Sequence, residues 1–483
     1  MIARLDIVIA IVSEHRRLIM SASSPSTPTL VAAVAIGAVA GFGLSQYLKS
    51  SNTDDSFVTE DELNSGKVAF RYVPPPVNPA PTPIPSSDPI LEKDAVQKTV
   101  YGAPLPGSET IQFDVLQDFM RDTFTSYGTT AQDADIASDV LIASDKRGID
   151  SHGVGRLRSI YCERMDAGIL NAQSKLRIIN QTKTTATVDG GNGIGLAIGP
   201  KCMQLAIKKA KKHGIGMVCV RNSTHFGFAG YYPLMAAEAG CVGIAGTNAR
   251  PSVAPTYGTE PMFGTNPIVF GMPSTDKFPF VIDCATSVNQ RGKIEKYVRE
   301  GKPTPAGAVI SNDGEELTDS TQILHALIDR TAACTTLGGA GHKLAGYKGY
   351  GYATTVEILC SALCENGFGE ALADKYIDDD GKRARRPSLL GHFFLAIDIT
   401  AFTSVEKFKT TTGAILRGLR ESKKDPKGPG RIYTAGEPEW VAWSHRSNYG
   451  GTTISPALIK DMKELREGFS PALKKKYEAV LPF

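Results

Sequence analysis

From Thr110 onward the chain carries hydrophobic patterns of both regular periods, and before that point it carries neither. Phe113, Leu116, Phe119 and Met120 recur at helical spacing, and Thr130 with Asp133 opens a second helix that bears Ile136, Val140 and Leu141 on one face. Lys175 to Val188 alternates as strands do, and Asp189 to Gly199 is a glycine-rich turn. Pro200 predicts a helix start; Met203, Ala206, Ile207 and Ala210 give the buried face, and Gly214 marks the end. Ile215 to Val220 reads as a buried strand, and Val242 to Ala245, Ile268 to Phe270 and Phe280 to Ile282 are further short apolar runs. A glycine-rich loop, Gly338 to Gly351, precedes a predicted helix from Tyr352 to Leu363 and a strand from His392 to Ile399. This alternation predicts an α/β core, with no repeat of solenoid period.

The first hundred residues differ. Leu30 to Leu44 is apolar or glycine throughout, and Tyr47 and Leu48 lengthen the run before Lys49. Fifteen residues fall short of the roughly 20 that span a bilayer. Residues 30–48 are therefore read either as a membrane anchor, holding a catalytic domain on the reducing side, or as part of a cleaved mitochondrial presequence. Eight prolines between Pro74 and Pro89, preceded by a cluster of acidic residues, mark a solvated spacer. The expected organisation is a targeting or anchor segment at 1–49, a Pro-rich disordered linker at 50–108 and a catalytic domain at 109–483.

Composition narrows the function little. A net charge of +3 gives no reason to expect a nucleic-acid partner. The eight cysteines form no CxxC pair and sit among apolar residues, which predicts buried free thiols and no structural zinc site.

Two polar loops concentrate the chemistry. In SDKRGIDSHGVGR, Ser144 to Arg156, Ser151 can hydrogen-bond His152 and set its tautomer, while Arg156 offers a planar fork for a carboxylate. In RNSTHFGFAG, Arg221 to Gly230, His225 follows a strand, so the two histidines can meet in one cleft. An ordinary helix cap at the first and a satisfied buried histidine at the second are the plain alternatives. The strand, GxGxxG and helix of a dinucleotide fold, the P-loop and the GxSxG elbow are all missing from the sequence.

Taken in order, SDKRGIDSHGVGR, NSTHFG, GTNARPSVAPTYGTEPMFGTNP, DCATSVNQRGK and LAGYKGYG resemble the malate/L-lactate dehydrogenase family of the non-Rossmann type, over about Thr110 to Trp443. The resemblance implies a mixed-sheet α/β fold peculiar to that family and a homodimer. It also implies an NAD- or NADP-dependent oxidoreductase of a small 2-oxo or 2-hydroxy acid such as malate, lactate or sulfolactate. On this reading Ser151, His152 and His225 are catalytic, with either histidine as the proton carrier. Arg156, Lys146 and Thr224 hold the substrate. His225, Phe226, Asn248, Asn266, Asp283, Ala285, Thr286, Lys293, Tyr347, Lys348 and Gly349 line the cofactor site. A reductase of a cyclic imino acid and a membrane-tethered, inactive dehydrogenase-like scaffold are the alternatives.

Overall fold

The computed structural model describes residues 57–65, 106–299, 301–378, 380–428, 430–448 and 450–483, all within one compact unit, Ser56–Phe483. Its centre is a seven-stranded mixed sheet built from β1 (Arg177–Gln181), β2 (Thr185–Asp189), β3 (Ile215–Ser223), β4 (Cys241–Thr247), β5 (Ile268–Met272), β6 (Phe280–Cys284) and β7 (Leu390–Asp398). The spatial order is β1-β2-β3-β7-β4-β5-β6. Only β2 and β3 run parallel; every other neighbour is antiparallel. The last strand therefore inserts between β3 and β4, pairing His392 with Val220 on one side and with Thr247 on the other.

Helices follow from the same patterns. After a short helix α1 (Glu60–Asn64), α2 (Phe113–Ser126) buries Leu116, Phe119, Met120 and Phe124. Phe119 meets the rings of Phe469 and Tyr477 at 5.4 and 5.0 Å, so the C-terminal segment closes over the first long helix. In α3 (Ala131–Lys146) the hydroxyl of Thr130 accepts the Asp133 N–H, as its spacing predicts. The α4 helix (Gly195–His213) ends on Gly214 at φ 87°, a left-handed C-cap. Its start differs from expectation: Pro200 lies inside the helix, because Gly195 to Gly199 already coil and Pro200 forgoes only one helical hydrogen bond. Next come α5 (Tyr231–Glu238), α6 (Gly346–Cys360) and α7 (Glu437–Asn448). The α6 helix begins six residues before the predicted Tyr352, so the GYKG motif forms its first turn.

Two readings of the N-terminal region change. The helix α1 falls within the stretch expected to be structureless, yet Val58 and Leu63 are buried in the main core. Residues 30–48 lie outside the described residues, and among the described residues no helix is long and apolar enough to cross a membrane. The expected location, membrane-anchored or mitochondrial by presequence, is accordingly corrected: a marginal fifteen-residue run was its whole basis.

Seven of the eight cysteines are buried and all are free thiols; Cys284 is partly exposed. Among the described residues no group of side chains could hold a metal ion.

Candidate active site

Strand directions place the site. Because β7 is antiparallel to β3 and β4, Ser223, Thr247 and Leu390 lie at one end of the sheet, and the start of β5 and end of β6 join them there through the Ile268–Cys284 pair. The loops leaving that end enclose a cavity of about 300 Å³ lined by His152, His225, Phe226, Asn248, Pro267 and Ala285 among others.

The loop that carries His152 is pinned from beneath. Asp145, at the end of α3, is 2% exposed and accepts the Val154 N–H at 2.8 Å. A Cβ on Gly153 would fall 2.0 Å from Oδ1 of Asp145, so only glycine lets the loop cross the carboxyl. Arg446 on α7 donates to the Asp145 carbonyl at 2.5 Å and, with both terminal nitrogens, to the Asp150 carboxylate at 2.6 and 2.9 Å. Burial and the nearby Asp150 push the Asp145 carboxyl up to about 8.

On this base the Ser151 hydroxyl lies 2.8 Å from Nδ1 of His152, which leaves Nε2 for the cavity. Arg156 donates from Nε to the Ser151 carbonyl at 2.5 Å, fixing the fork beside the serine. The backbone then winds as a π-helix from Leu157 to Cys162, a wide turn of the kind that recurs at functional sites. It presents the Tyr161 hydroxyl 2.7 Å from Nδ1 of His225.

The two imidazoles lie almost parallel, 5.6 Å apart. The Gly227 N–H also points at Nδ1 of His225, at 3.3 Å; since an N–H only donates, Nδ1 accepts and the ring proton sits on Nε2. Both rings are neutral at physiological pH. Burial, with Arg156 nearby, lowers His152 to about 4. Burial, then competition with His152 for a second positive charge and the nearby Arg164 and Arg156, hold His225 well below its usual range.

The structure sorts the other expected site residues. Phe226 and Ala285 line the cavity, and so does Asp283, which accepts the Gly230 N–H at 2.7 Å. Asn248 lines it too, but its amide is engaged with Ser361, Glu357 and Gly391. Asn266 is fully buried, bonded to Glu357 and the Ala353 carbonyl, and the Thr286 hydroxyl donates to the carbonyls of Thr265 and Asn266. Asn266 and Thr286 thus lie behind the wall, while Asn248 forms part of it. Thr224 is not part of the cavity wall: it donates to the Gly193 carbonyl and accepts the Gly195 N–H, tying the glycine turn to the histidine loop. Lys146 points over the Phe113 ring, and its neighbour Arg147 lines the cavity instead. Lys293, Tyr347 and Lys348 are exposed and outside the cavity wall, and Gly349 packs on the Leu337 backbone.

Sequence reasoning passed over Tyr161, Asp145, Arg446 and Glu357. Tyr161 lies on a π-helix, whose period matches neither helical nor strand templates. Glu357 sits on the buried face of α6 with no cation bonded to it; burial raises its pKa against the hydrogen bonds from Asn266, Gly369 and Asn248. Only its isolation among apolar helix positions could have flagged it.

Comparison with known proteins supports the same region. A family model described as malate/L-lactate dehydrogenase matches residues 111–463. The malate dehydrogenase of Pyrococcus horikoshii is 39% identical over 354 residues, covering 73% of this chain and 93% of the relative. The L-sulfolactate dehydrogenase of Methanocaldococcus jannaschii is 32% identical over 344 residues, 71% of this chain and 92% of the relative. Among solved structures, malate dehydrogenase from Entamoeba histolytica superposes with a TM-score of 0.71 at 39% identity, over 78% of this chain and all of that one. With the match spanning both histidine loops and every strand of the central sheet, the chain belongs to the malate/L-lactate dehydrogenase family of hydroxy-acid dehydrogenases.

Proposed function

We propose that the protein interconverts a small 2-hydroxy acid and its 2-oxo acid with NAD or NADP. The observation that carries this is the parallel pair of neutral histidines, each with Nδ1 held by a hydroxyl, beside the Arg156 fork. The apolar walls from Phe226, Leu234, Pro267 and Val281 suit a flat nicotinamide ring, and the bound cofactor supplies or accepts the hydride at C2.

In this mechanism Arg156 grips the acid's carboxylate, a charge-assisted contact worth about 1.5–3 kcal/mol. In the tautomer whose Nδ1–H donates to the Ser151 hydroxyl, His152 presents a free Nε2 that takes the hydroxyl proton during oxidation and returns it during reduction. His225 donates its Nε2–H to the same oxygen and stabilises charge there without giving up the proton, the role its fixed tautomer supports. The first turn of α6 has no side-chain cap and carries Lys348, features suited to the cofactor's phosphates. Leu337, bonded to the Thr286 carbonyl, links that turn to the cavity wall.

The test is turnover by the full-length chain of NADH or NADPH with oxaloacetate, pyruvate and sulfopyruvate. A cyclic imino acid in the same assay separates the reductase alternative. Exposed Tyr352, Ile358, Leu363 and Phe368 around α6 support a homodimer, which light scattering on the purified chain would test.

A further inference from the structure

The outer edge of β1 is the end of the central sheet, and a strand edge exposes backbone groups in need of partners. Residues 57–65 meet them without forming a strand. The Asn64 side chain both donates to the Leu176 carbonyl and accepts its N–H, each at 2.8 Å. Glu60 accepts the Ile178 N–H at 2.8 Å. Further along, the Gln181 side chain bonds both the N–H and the carbonyl of Val58. Asn64 and Glu60 thus act as a neighbouring strand would, from one face of a single helical turn.

Apolar and ionic contacts add to the fit. Val58 and Leu63 are 2% and 0% exposed and belong to the main core. Phe57 lies 5.4 Å from the ammonium of Lys209, a fully buried lysine that donates to the Thr182 carbonyl. The turn itself is preorganised: Thr59 and Glu62 form a reciprocal capping box. The family match starts at residue 111, so this segment is an addition to the family's shared region.

We propose that the β1 edge and the groove behind it form a peptide-docking site. Its ligand is a short, Thr-capped acidic turn, supplied by residues 57–65 of this chain, and it attaches the N-terminal region to the catalytic domain. Recognition rests on apolar side chains at 58 and 63 and on strand-mimicking polar ones at 60 and 64. An emptied site therefore accepts the same segment as a separate peptide.

The experiment uses the full-length chain and a labelled peptide spanning residues 55–66. In the Glu60→Ala/Asn64→Ala variant, which leaves the core untouched, amide exchange in 57–65 and 176–181 should quicken by at least about tenfold while the His225 loop stays as protected as before. The peptide should bind this variant saturably, with a dissociation constant of about 1–100 μM, and bind the wild-type chain at least about tenfold more weakly. Leu63→Asp should open the site in the same way. Equal peptide binding by wild type and both variants, no binding to either variant, or unchanged exchange at 176–181 would overturn the proposal.

Discussion

Substituting Gly153 with alanine tests whether the catalytic loop is positioned by its close crossing over Asp145. The added Cβ would lie 2.0 Å from Oδ1 and 2.2 Å from Cγ of a carboxyl that is itself buried and bonded to Val154. Real contacts of this kind are not shorter than 3.0 Å, so something must shift by about 1 Å. Overpacking of this sort costs about 1–3 kcal/mol, and losing the Val154 bond to a buried group adds about 1–3 kcal/mol. The expected destabilisation is therefore about 2–6 kcal/mol. A displacement of about 1 Å at His152 and Arg156 should also lower kcat/KM by roughly 100-fold. Urea denaturation and steady-state turnover measure the two effects. A double-mutant cycle identifies the cause: Asp145→Ala should cost less in the Gly153→Ala background than alone, by about 1 kcal/mol or more, because it removes the atom that clashes. Additive effects, or a Gly153→Ala enzyme with wild-type kcat/KM and stability, would refute the reasoning.

Other expectations follow from the same geometry. Because His152 is lowered to about 4 in the free enzyme, kcat/KM for hydroxy-acid oxidation should be flat above about pH 5 and fall below it. For 2-oxo-acid reduction, which requires the protonated ring, kcat/KM should fall as pH rises; an oxidation limb near 6.5 would contradict the burial argument. Tyr161→Phe removes the hydroxyl at 2.7 Å from His225 but leaves the Gly227 N–H in place, so kcat should drop by about 2- to 13-fold, the equivalent of about 0.5–1.5 kcal/mol. Arg446→Ala breaks the fork on the partly exposed Asp150 and should lower stability by about 1–3 kcal/mol, read by thermal unfolding, with kcat/KM falling alongside as the loop loosens.

Much of this architecture was legible because strands and helices announce themselves by period. The run Ile215 to Val220 marked β3 and led directly to His225, and the Thr130 cap marked α3, which leads to His152. The glycine-rich segments misled at both ends. Gly195 to Gly199 and the GYKG turn are helical, because close approaches such as Gly349 against Leu337 favour glycine for space, where the sequence suggested loops. Among candidate site residues, contacts made to a neighbour in sequence were readable, as between Ser151 and His152. Thr224, Asn248, Asn266 and Thr286 are polar groups in the right motifs, but their partners come from elsewhere in the chain, and those partners hold them in the framework. The docked turn at 57–65 was hidden for the same reason: its value lies in the unpaired edge of β1, more than a hundred residues away.

The measurement closest to the central claim is initial-rate turnover of NADH and NADPH by the full-length chain with oxaloacetate or sulfopyruvate, alongside its Arg156→Ala and His152→Ala variants. The wild type should turn over at least one of these acids. Arg156→Ala should raise KM for the acid with little change in cofactor KM, while His152→Ala should lower kcat and kcat/KM together by about 100- to 10,000-fold. No turnover with any 2-oxo acid and either cofactor, or a His152→Ala variant that keeps wild-type kcat, would contradict the account.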